Sequence, residues 1–189
     1  WGSAPTSLQG DVTFWTKQTK LSRHIPLPDV LAWDEEDDVA LQQDVEAGQE
    51  IYISPGLRRP GLPPDKKGVW EDVVALCGFV LDVDIFVPEK PDAHNATNLP
   101  IDGDDDDLKI ILGDAPDPSL VVHTGYGMHL WWLFDHILEL PNRSSREHAK
   151  SAYRKFQQPF LDRAANAGFQ LDNTATINHV FRLPGTKNW

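Results

Sequence analysis

The chain has 189 residues, which suits one large domain or two units that share a core. Its 40% hydrophobic and 24% charged residues are ordinary for a globular protein, its single Cys77 excludes a disulfide scaffold and a zinc ribbon, and no apolar run approaches the ~18 residues of a membrane span. The net charge of −12 disfavours a nucleic-acid binder, but residues 82–107 alone carry −8, so basic clusters elsewhere keep that class of partner open.

The first half of the chain is weakly patterned up to residue 50 and then alternates between short elements. A short helix is predicted over residues 39–47 and a strand over residues 50–54. Residues 57–68 (LRRPGLPPDKKG) contain three prolines and two glycines, which predicts a loop. A second short helix is predicted over residues 69–76, followed by the clearest strand at residues 79–87 (FVLDVDIFV).

The second half contains a hairpin and a long helix. The acidic run at residues 102–107 predicts a solvated loop, with cation capture as the alternative. Residues 119–134 have the pattern strand, glycine turn, strand, and residues 142–167 have helical periodicity behind a capping box at Ser144 and Glu147. Short strands are predicted at residues 169–172 and 179–183, so the fold class is α+β.

The ends of the sequence predict a domain taken from a longer protein. Trp1 stands where a full-length protein would have Met, and a turn signal at residues 184–186 almost closes the chain. Residues 1–189 are therefore expected to be a single excised domain.

Asp82 and Asp84 are the first candidates for chemistry. Residues i and i+2 of a strand share a face, so both carboxylates project together from an otherwise apolar strand. Two such groups repel each other and resist burial unless a cation lies between them, which predicts a divalent metal site. The alternative is a half-exposed edge strand with both acids in water.

Three further residues are ambiguous when taken singly. His129 follows the turn Thr124-Gly125-Tyr126-Gly127 and is either structural or a phosphate contact. Asp172 follows an apolar residue at a strand start and by itself fits a turn or cap residue. Arg182, a charge inside an apolar run, needs either an acidic partner or a phosphate.

Taken together and in this order, the motifs resemble the archaeo-eukaryotic primase superfamily, and more closely the bifunctional primase-polymerases of phage and plasmid replication proteins. The matching segments are Leu81-Asp82-Val83-Asp84, the segment from Thr124 to Trp132, Leu171-Asp172, and Arg182-Leu183-Pro184-Gly185-Thr186. The resemblance covers about residues 52–189. It implies the primase-polymerase fold, an RRM-like catalytic sheet with an N-terminal α/β subdomain.

The resemblance also implies roles for individual residues. Asp82, Asp84 and Asp172 would hold two divalent cations, Mg²⁺ or Mn²⁺ and not zinc. His129 would contact the triphosphate of the incoming nucleotide, with Arg182 as a second phosphate contact. The turn residues Thr124, Gly125 and Gly127 would shape the nucleotide site beside it.

The implied function is template-directed synthesis of RNA or DNA primers from NTPs or dNTPs on a single-stranded DNA template. A helicase domain C-terminal to this one, a cytoplasmic location in a bacterial or archaeal host cell and no membrane association are expected with it. The basic residues Arg58, Arg59, Lys66 and Lys67 are predicted to contact the template backbone, with ordinary surface bases as the alternative.

Two other functions stay open. A metal-dependent nicking nuclease would use Tyr153 as its nucleophile, although His123 and His129 are poorly spaced as metal ligands. A catalytically inactive domain of a replisome could keep the same fold.

Overall fold

The computed structural model describes residues 8–33, 39–88, 97–99 and 105–186. These residues form a mixed α+β fold with a large antiparallel sheet, which confirms the predicted α+β class. The strands are β1 (Asp11–Thr16), β2 (Ser22–Pro26), β3 (Ile51–Ile53), β4 (Gly56–Arg58), β5 (Val73–Asp84), β6 (Leu120–His123), β7 (Gly127–Glu139) and β8 (Phe181–Arg182). The helices are α1 (Leu27–Leu31), α2 (Val39–Glu46), α3 (Asp105–Leu112) and α4 (Arg143–Asn166).

Within the described residues, all eight strands belong to one sheet in the order β6–β7–β5–β4–β1–β3–β8, with β2 paired to β1. The named strands pair antiparallel throughout. The N-terminal strands β1 to β4 therefore continue the same sheet that carries β5 and β7, and β3 brings the N-terminal part of the chain against β8.

Strand β5 begins at Val73 and ends at Asp84, so it starts before the predicted strand of residues 79–87 and also ends before it. The helix predicted over residues 69–76 is wrong, because residues 73–76 begin β5 and only a 3-10 turn (Trp70–Asp72) precedes them. Gly78 is not a helix end. It lies where the register of β5 and β7 shifts, and a Cβ there would come within 2.4 Å of the carbonyl oxygen of Trp132. Glycine is needed at this position because the two backbones approach closely at a bulge.

Two further predictions, for residues 57–68 and for residues 169–172, need correction. The first two residues of the loop predicted at residues 57–68 belong instead to strand β4, because Leu57 and Arg58 are buried and pair with β5. Residues 169–172 form no strand, since the backbone N–H groups of Phe169 and Gln170 donate to carbonyls of Ala164 and Thr97.

The acidic run at residues 102–107 is partly helical. Residues 105–107 open α3. The remainder of that run, residues 102–104, lies outside the described residues.

The other predicted elements are confirmed: α2, β3, the β6–β7 hairpin, α4 and the short β8, with β7 continuing to Glu139, past the predicted end of the hairpin at residue 134. The cap of α4 differs from the prediction. Asn142, rather than Ser144, is the N-cap, and its side chain accepts a hydrogen bond from the Ser145 N–H at 2.9 Å.

Helix α4 covers one face of β5 and β7. Tyr153 is fully buried there and stacks on Phe79 with ring centroids 4.5 Å apart. Its hydroxyl donates to the carbonyl of Val80 at 2.7 Å and accepts from the N–H of the same residue at 2.9 Å. The side chain therefore satisfies two backbone groups of β5 immediately before the acidic residues.

Tyr153→Phe tests this support. The substitution keeps the ring and its packing but leaves two buried backbone groups without their partner, so we expect a loss of about 1–3 kcal/mol in the free energy of unfolding. Chemical denaturation measures it. Ser151→Ala, at an exposed position of the same helix, is the control, and a loss no larger than in that control would contradict the role of the hydroxyl.

The opposite face of β5 and β7 is covered by other strands of the same sheet. Val80 and Trp131, on β5 and β7, pack against Phe181 of β8 and Ile53 of β3. Because β8 lies at the far end of the strand order, this contact requires the sheet to curl over the β5–β7 face. The curl places β8 beside the ends of β5 and β7. No helix in the described part of the chain combines the length and apolar character needed to cross a bilayer.

Candidate active site

Two carboxylates and an imidazole lie together at one end of the β5–β7 pair. Asp82 of β5 is directly opposite His129 of β7, which in turn is opposite Val122 of β6. Directly opposed residues share a face, and so do alternate residues of one strand, so Asp84 projects from the same face as Asp82. The sequence prediction that the two carboxylates share a face is confirmed.

The Asp82 carboxyl lies in an environment that disfavours its charge. Its side chain is 25% exposed. Burial, and then the neighbouring carboxylates of Asp84 and Asp172, raise the pKa of Asp82 to about 7, against a smaller lowering by Arg182. A carboxyl of this kind is stabilised in its ionised form when a cation approaches.

His129 is buried and has the opposite shift. Burial, followed by the charges of Arg182 and His179, lowers the pKa of His129 to about 4, so the imidazole is neutral at neutral pH. Its Nε2 lies 3.5 Å from Oδ1 of Asp82, and its ring packs edge-on against Phe181. Nδ1 is buried and has no hydrogen-bond partner among the described residues.

Arg182 lies beside these side chains and has a carboxylate partner. Its Nη2 donates to Oε2 of Glu50 at 2.8 Å and to the hydroxyl of Tyr52 at 3.1 Å. Burial raises the pKa of Glu50, but the hydrogen bonds from Arg182, Lys17 and Tyr52 outweigh it and hold that pKa below its usual value. The sequence left a salt bridge and a phosphate open for Arg182, and in this structure the salt bridge is formed.

Asp172 approaches the same group from the segment after α4. Gln157 of α4 donates to the Asp172 carbonyl at 3.0 Å, and the carboxylate of this exposed residue contributes to the raised pKa of Asp82. Within the described residues, however, no three His, Cys, Asp or Glu side chains are grouped closely enough to hold a metal ion as they stand. The third acid is thus near the pair without forming a ready-made ligand set with it.

The glycine turn has structural roles of its own. The N–H of Thr124 donates to the carbonyl of Gly127 at 2.9 Å and closes the hairpin, so this amide does not face a ligand. Gly125 has a φ of +91°, which only glycine adopts easily. A Cβ at Gly127 would lie 2.4 Å from the carbonyl oxygen of Val83, so the glycine lets β7 approach the end of β5.

The predicted template-binding residues do not lie on one surface. Arg58 is fully buried, and its guanidinium donates to the carbonyls of Lys67, Gly56 and Asn178. Its assignment to the template is therefore wrong, because a guanidinium inside the protein cannot reach a nucleic-acid backbone. Arg59 is exposed and ion-paired with Asp72 at 2.7 Å.

The two lysines of the same loop are on the surface. Lys66 is exposed and lies 3.6 Å from the carboxylate of Asp65, and Lys67 places its Nζ 5.0 Å from the centre of the Trp15 ring. Their surface positions are compatible with the predicted contact to a template backbone.

Sequence analysis missed Glu50 and Tyr52. Glu50 immediately precedes the three-residue strand β3 and Tyr52 is its middle residue, and the only signal in the sequence is the acidic residue next to the apolar run of residues 51–53. Their importance depends on the pairing of β3 with β8, which brings Tyr52 opposite Arg182.

Comparisons with known proteins add one structural similarity. The chain resembles the AEP domain of the primase-polymerase of cyanophage S-2L, with a TM-score of 0.48 and 17% sequence identity over 94% of this chain and 74% of that domain. No family model and no curated protein matches the sequence. The chemistry therefore has to be inferred from the residues of this chain.

Proposed function

We propose that this domain catalyses metal-dependent nucleotidyl transfer, joining NTPs or dNTPs on a single-stranded DNA template. The observation that carries the proposal is the row that places Asp82 opposite His129, with Asp84 on the same face. Acids that would bind cations and an imidazole that would meet a phosphate then lie at one end of one sheet face. Arg182 and Asp172 are close enough to influence Asp82 electrostatically.

The donor chemistry of the site fits Mg²⁺ or Mn²⁺. Asp82 and Asp84 offer hard carboxylate oxygens on one face, and their mutual repulsion is relieved when a cation binds. Asp172 would complete the set predicted from the sequence, although it is not grouped with the pair in this structure. Such ions neutralise the charge of the triphosphate and of the developing transition state.

The remaining residues would position the nucleotide. A neutral His129 can donate a hydrogen bond from one ring nitrogen to a phosphate oxygen without losing a proton. Its Nδ1 is buried and lacks a partner among the described residues, so the assigned donor to a phosphate is Nε2, the ring nitrogen that lies 3.5 Å from Asp82. Arg182 would add positive potential beside the phosphates while held by Glu50. Positioning and charge compensation carry most of the catalysis in phosphoryl transfer.

The nicking-nuclease alternative is disfavoured by two observations. Tyr153, its candidate nucleophile, is fully buried with its hydroxyl bonded to Val80. His123 is one residue from Val122, the cross-strand partner of His129, so the two histidines project from opposite faces of the sheet. They would not hold one metal ion together.

The proposal is tested with labelled nucleotides, a single-stranded DNA template and Mg²⁺ or Mn²⁺. Extended or newly started products support it. Cutting of the template strand without synthesis would support a nuclease instead, and nucleotide binding without either reaction would support an inactive replisome domain. The C-terminal helicase stays a prediction that this assay does not address.

His129→Ala tests the assigned phosphate contact. Loss of one hydrogen bond to a charged group costs about 1.5–3 kcal/mol, so we expect nucleotide affinity to fall about tenfold or more. Template binding should be unchanged. The matched control is His123→Ala, an exposed histidine on the neighbouring strand. Reduced template affinity with unchanged nucleotide affinity would contradict the assignment.

A further inference from the structure

A second row of side chains continues from the candidate site across the N-terminal strands. Trp15 of β1 is directly opposite Tyr52 of β3, and Tyr52 is directly opposite Arg182 of β8. The three side chains therefore share one face of the sheet. The rings of Trp15 and Tyr52 lie 5.4 Å apart, and the Tyr52 hydroxyl accepts from Arg182 at 3.1 Å. A row of contacting side chains thus leads from Arg182, beside the candidate active site, through Tyr52 to Trp15.

Trp15 is partly exposed, and the ammonium groups of two lysines lie over its ring. Lys20 Nζ lies 5.1 Å from the ring centre and Lys67 Nζ lies 5.0 Å from it, and both lysines are exposed. Lys20 has a φ of +60°, an unusual conformation for a residue with a side chain. The backbone of the β1–β2 turn therefore holds this lysine over the ring at some conformational cost.

The loop that presents Lys67 is fixed from inside the protein. The buried Arg58 donates to the Lys67 carbonyl at 3.0 Å, and a ring nitrogen of His24 lies 2.8 Å from the Lys66 carbonyl. The N–H of Ser22 also donates to the carbonyl of Pro64. The lysine side chains thus extend from a backbone whose position is already set, which lowers the ordering cost of binding.

We propose that the Trp15 platform, formed by Trp15, Tyr52, Lys20 and Lys67, binds single-stranded nucleic acid by stacking a base on Trp15 and contacting phosphates with the lysines. A cation over an exposed ring contributes about 0.5–1 kcal/mol, whereas a stacked base contributes about 1–3 kcal/mol. A base therefore displaces a lysine from the ring, and the freed ammonium contacts the flanking phosphate.

The chemistry of the platform favours nucleic acid over an acidic peptide. In a chain of net charge −12, lysines gathered around an aromatic ring select an anionic partner. An acidic peptide would use the lysines but leave the ring of Trp15 unstacked. Nucleic acid uses both, because every base has a π-face. The choice of nucleic acid as partner rests on the proposed function, and the platform assigns the place where the strand runs.

The test measures fluorescence anisotropy of two labelled oligonucleotides of equal length, one of thymidines and one of abasic sites, without nucleotide or metal ion. The wild-type protein should bind the thymidine strand more tightly. Trp15→Ala should lower the affinity for the thymidine strand about fivefold or more and remove the preference for it over the abasic strand, whose affinity should change little. Trp70→Ala is the matched control, because Lys150 and Arg143 lie over the Trp70 ring at 4.1 and 5.8 Å on another part of the surface.

Lys67→Ala gives an independent readout at an exposed side chain. It should weaken both strands and lower the slope of log affinity against log salt by about 0.7, the value for one phosphate contact on a single strand. Three results would overturn the proposed Trp15 platform. They are an unchanged affinity of Trp15→Ala for the thymidine strand, equal losses of affinity in Trp15→Ala and Trp70→Ala, and complete displacement of the strand by polyglutamate. Synthesis that is insensitive to Trp15 would overturn the platform alone, and strand binding without synthesis would overturn only the proposed function.

Discussion

Replacing Asp82 by asparagine is expected to abolish nucleotide incorporation while the protein stays folded. The substitution keeps the size of the side chain and removes the charge with which Asp82 would hold the proposed divalent cation. Cation-based charge stabilisation contributes several kcal/mol to phosphoryl transfer, so the rate should fall about a thousandfold or more. Primer extension with Mg²⁺ or Mn²⁺ measures the loss, and Asp84→Asn should behave in the same way.

A measurement of thermal unfolding separates a loss of catalysis in Asp82→Asn from a loss of folded structure. The Asp82 carboxylate is largely buried and close to two other acids, so its neutral form is favoured in the folded protein. In metal-free buffer at neutral pH, Asp82→Asn should therefore unfold at a temperature no lower than that of the wild type. Asp135→Asn, at an exposed acid on β7, is the matched control for activity. Near-full activity in Asp82→Asn would show that the metal assignment is wrong.

The parts of the candidate site that were predictable from the sequence are those within one strand or one hairpin. The period of two in β5 is enough to place Asp82 and Asp84 on one face, and the glycine turn predicts that His129 lies on the next strand. These relations depend on local geometry, which sequence patterns describe well.

The parts that sequence missed depend on which distant strands become neighbours. Glu50 and Tyr52 reach Arg182 only because β3 pairs with β8, across about 130 residues of chain. No local pattern records such a pairing. Likewise, the four residues 73–76 are too few to separate a helix from a strand by periodicity, and Gly78 looks the same as a helix stop and as a bulge.

Arg58 shows the same limit from the side of burial. In the sequence it belongs to a basic pair within a proline-rich segment, which is typical of a solvated surface. In the structure it is fully buried, and burial lowers the pKa of its guanidinium to about 10. A charge is accepted there because backbone carbonyls from three separate segments, at Gly56, Lys67 and Asn178, receive its hydrogen bonds.

Arg58→Ala is therefore expected to lower stability more than any surface change in the same loop. It removes the donor to the carbonyls of Gly56, Lys67 and Asn178, and it leaves a cavity. Asn178 lies a few residues before β8. Losing these hydrogen bonds from a charged donor and opening a cavity costs about 3–5 kcal/mol. Arg59→Ala is the matched control: Arg59 is an exposed arginine of the same loop whose ion pair with Asp72 should contribute about 1 kcal/mol or less.

Chemical denaturation of both variants at neutral pH measures the difference. If Arg58 were instead a template contact, Arg58→Ala would unfold like Arg59→Ala and would show a reduced salt dependence of strand binding. If it is the internal anchor described above, Arg58→Ala loses stability, and whatever folded fraction remains binds strands with a weakened Trp15 platform, because the Lys67 backbone is no longer held. The order of the two stabilities thus decides between an internal and an external role for this arginine.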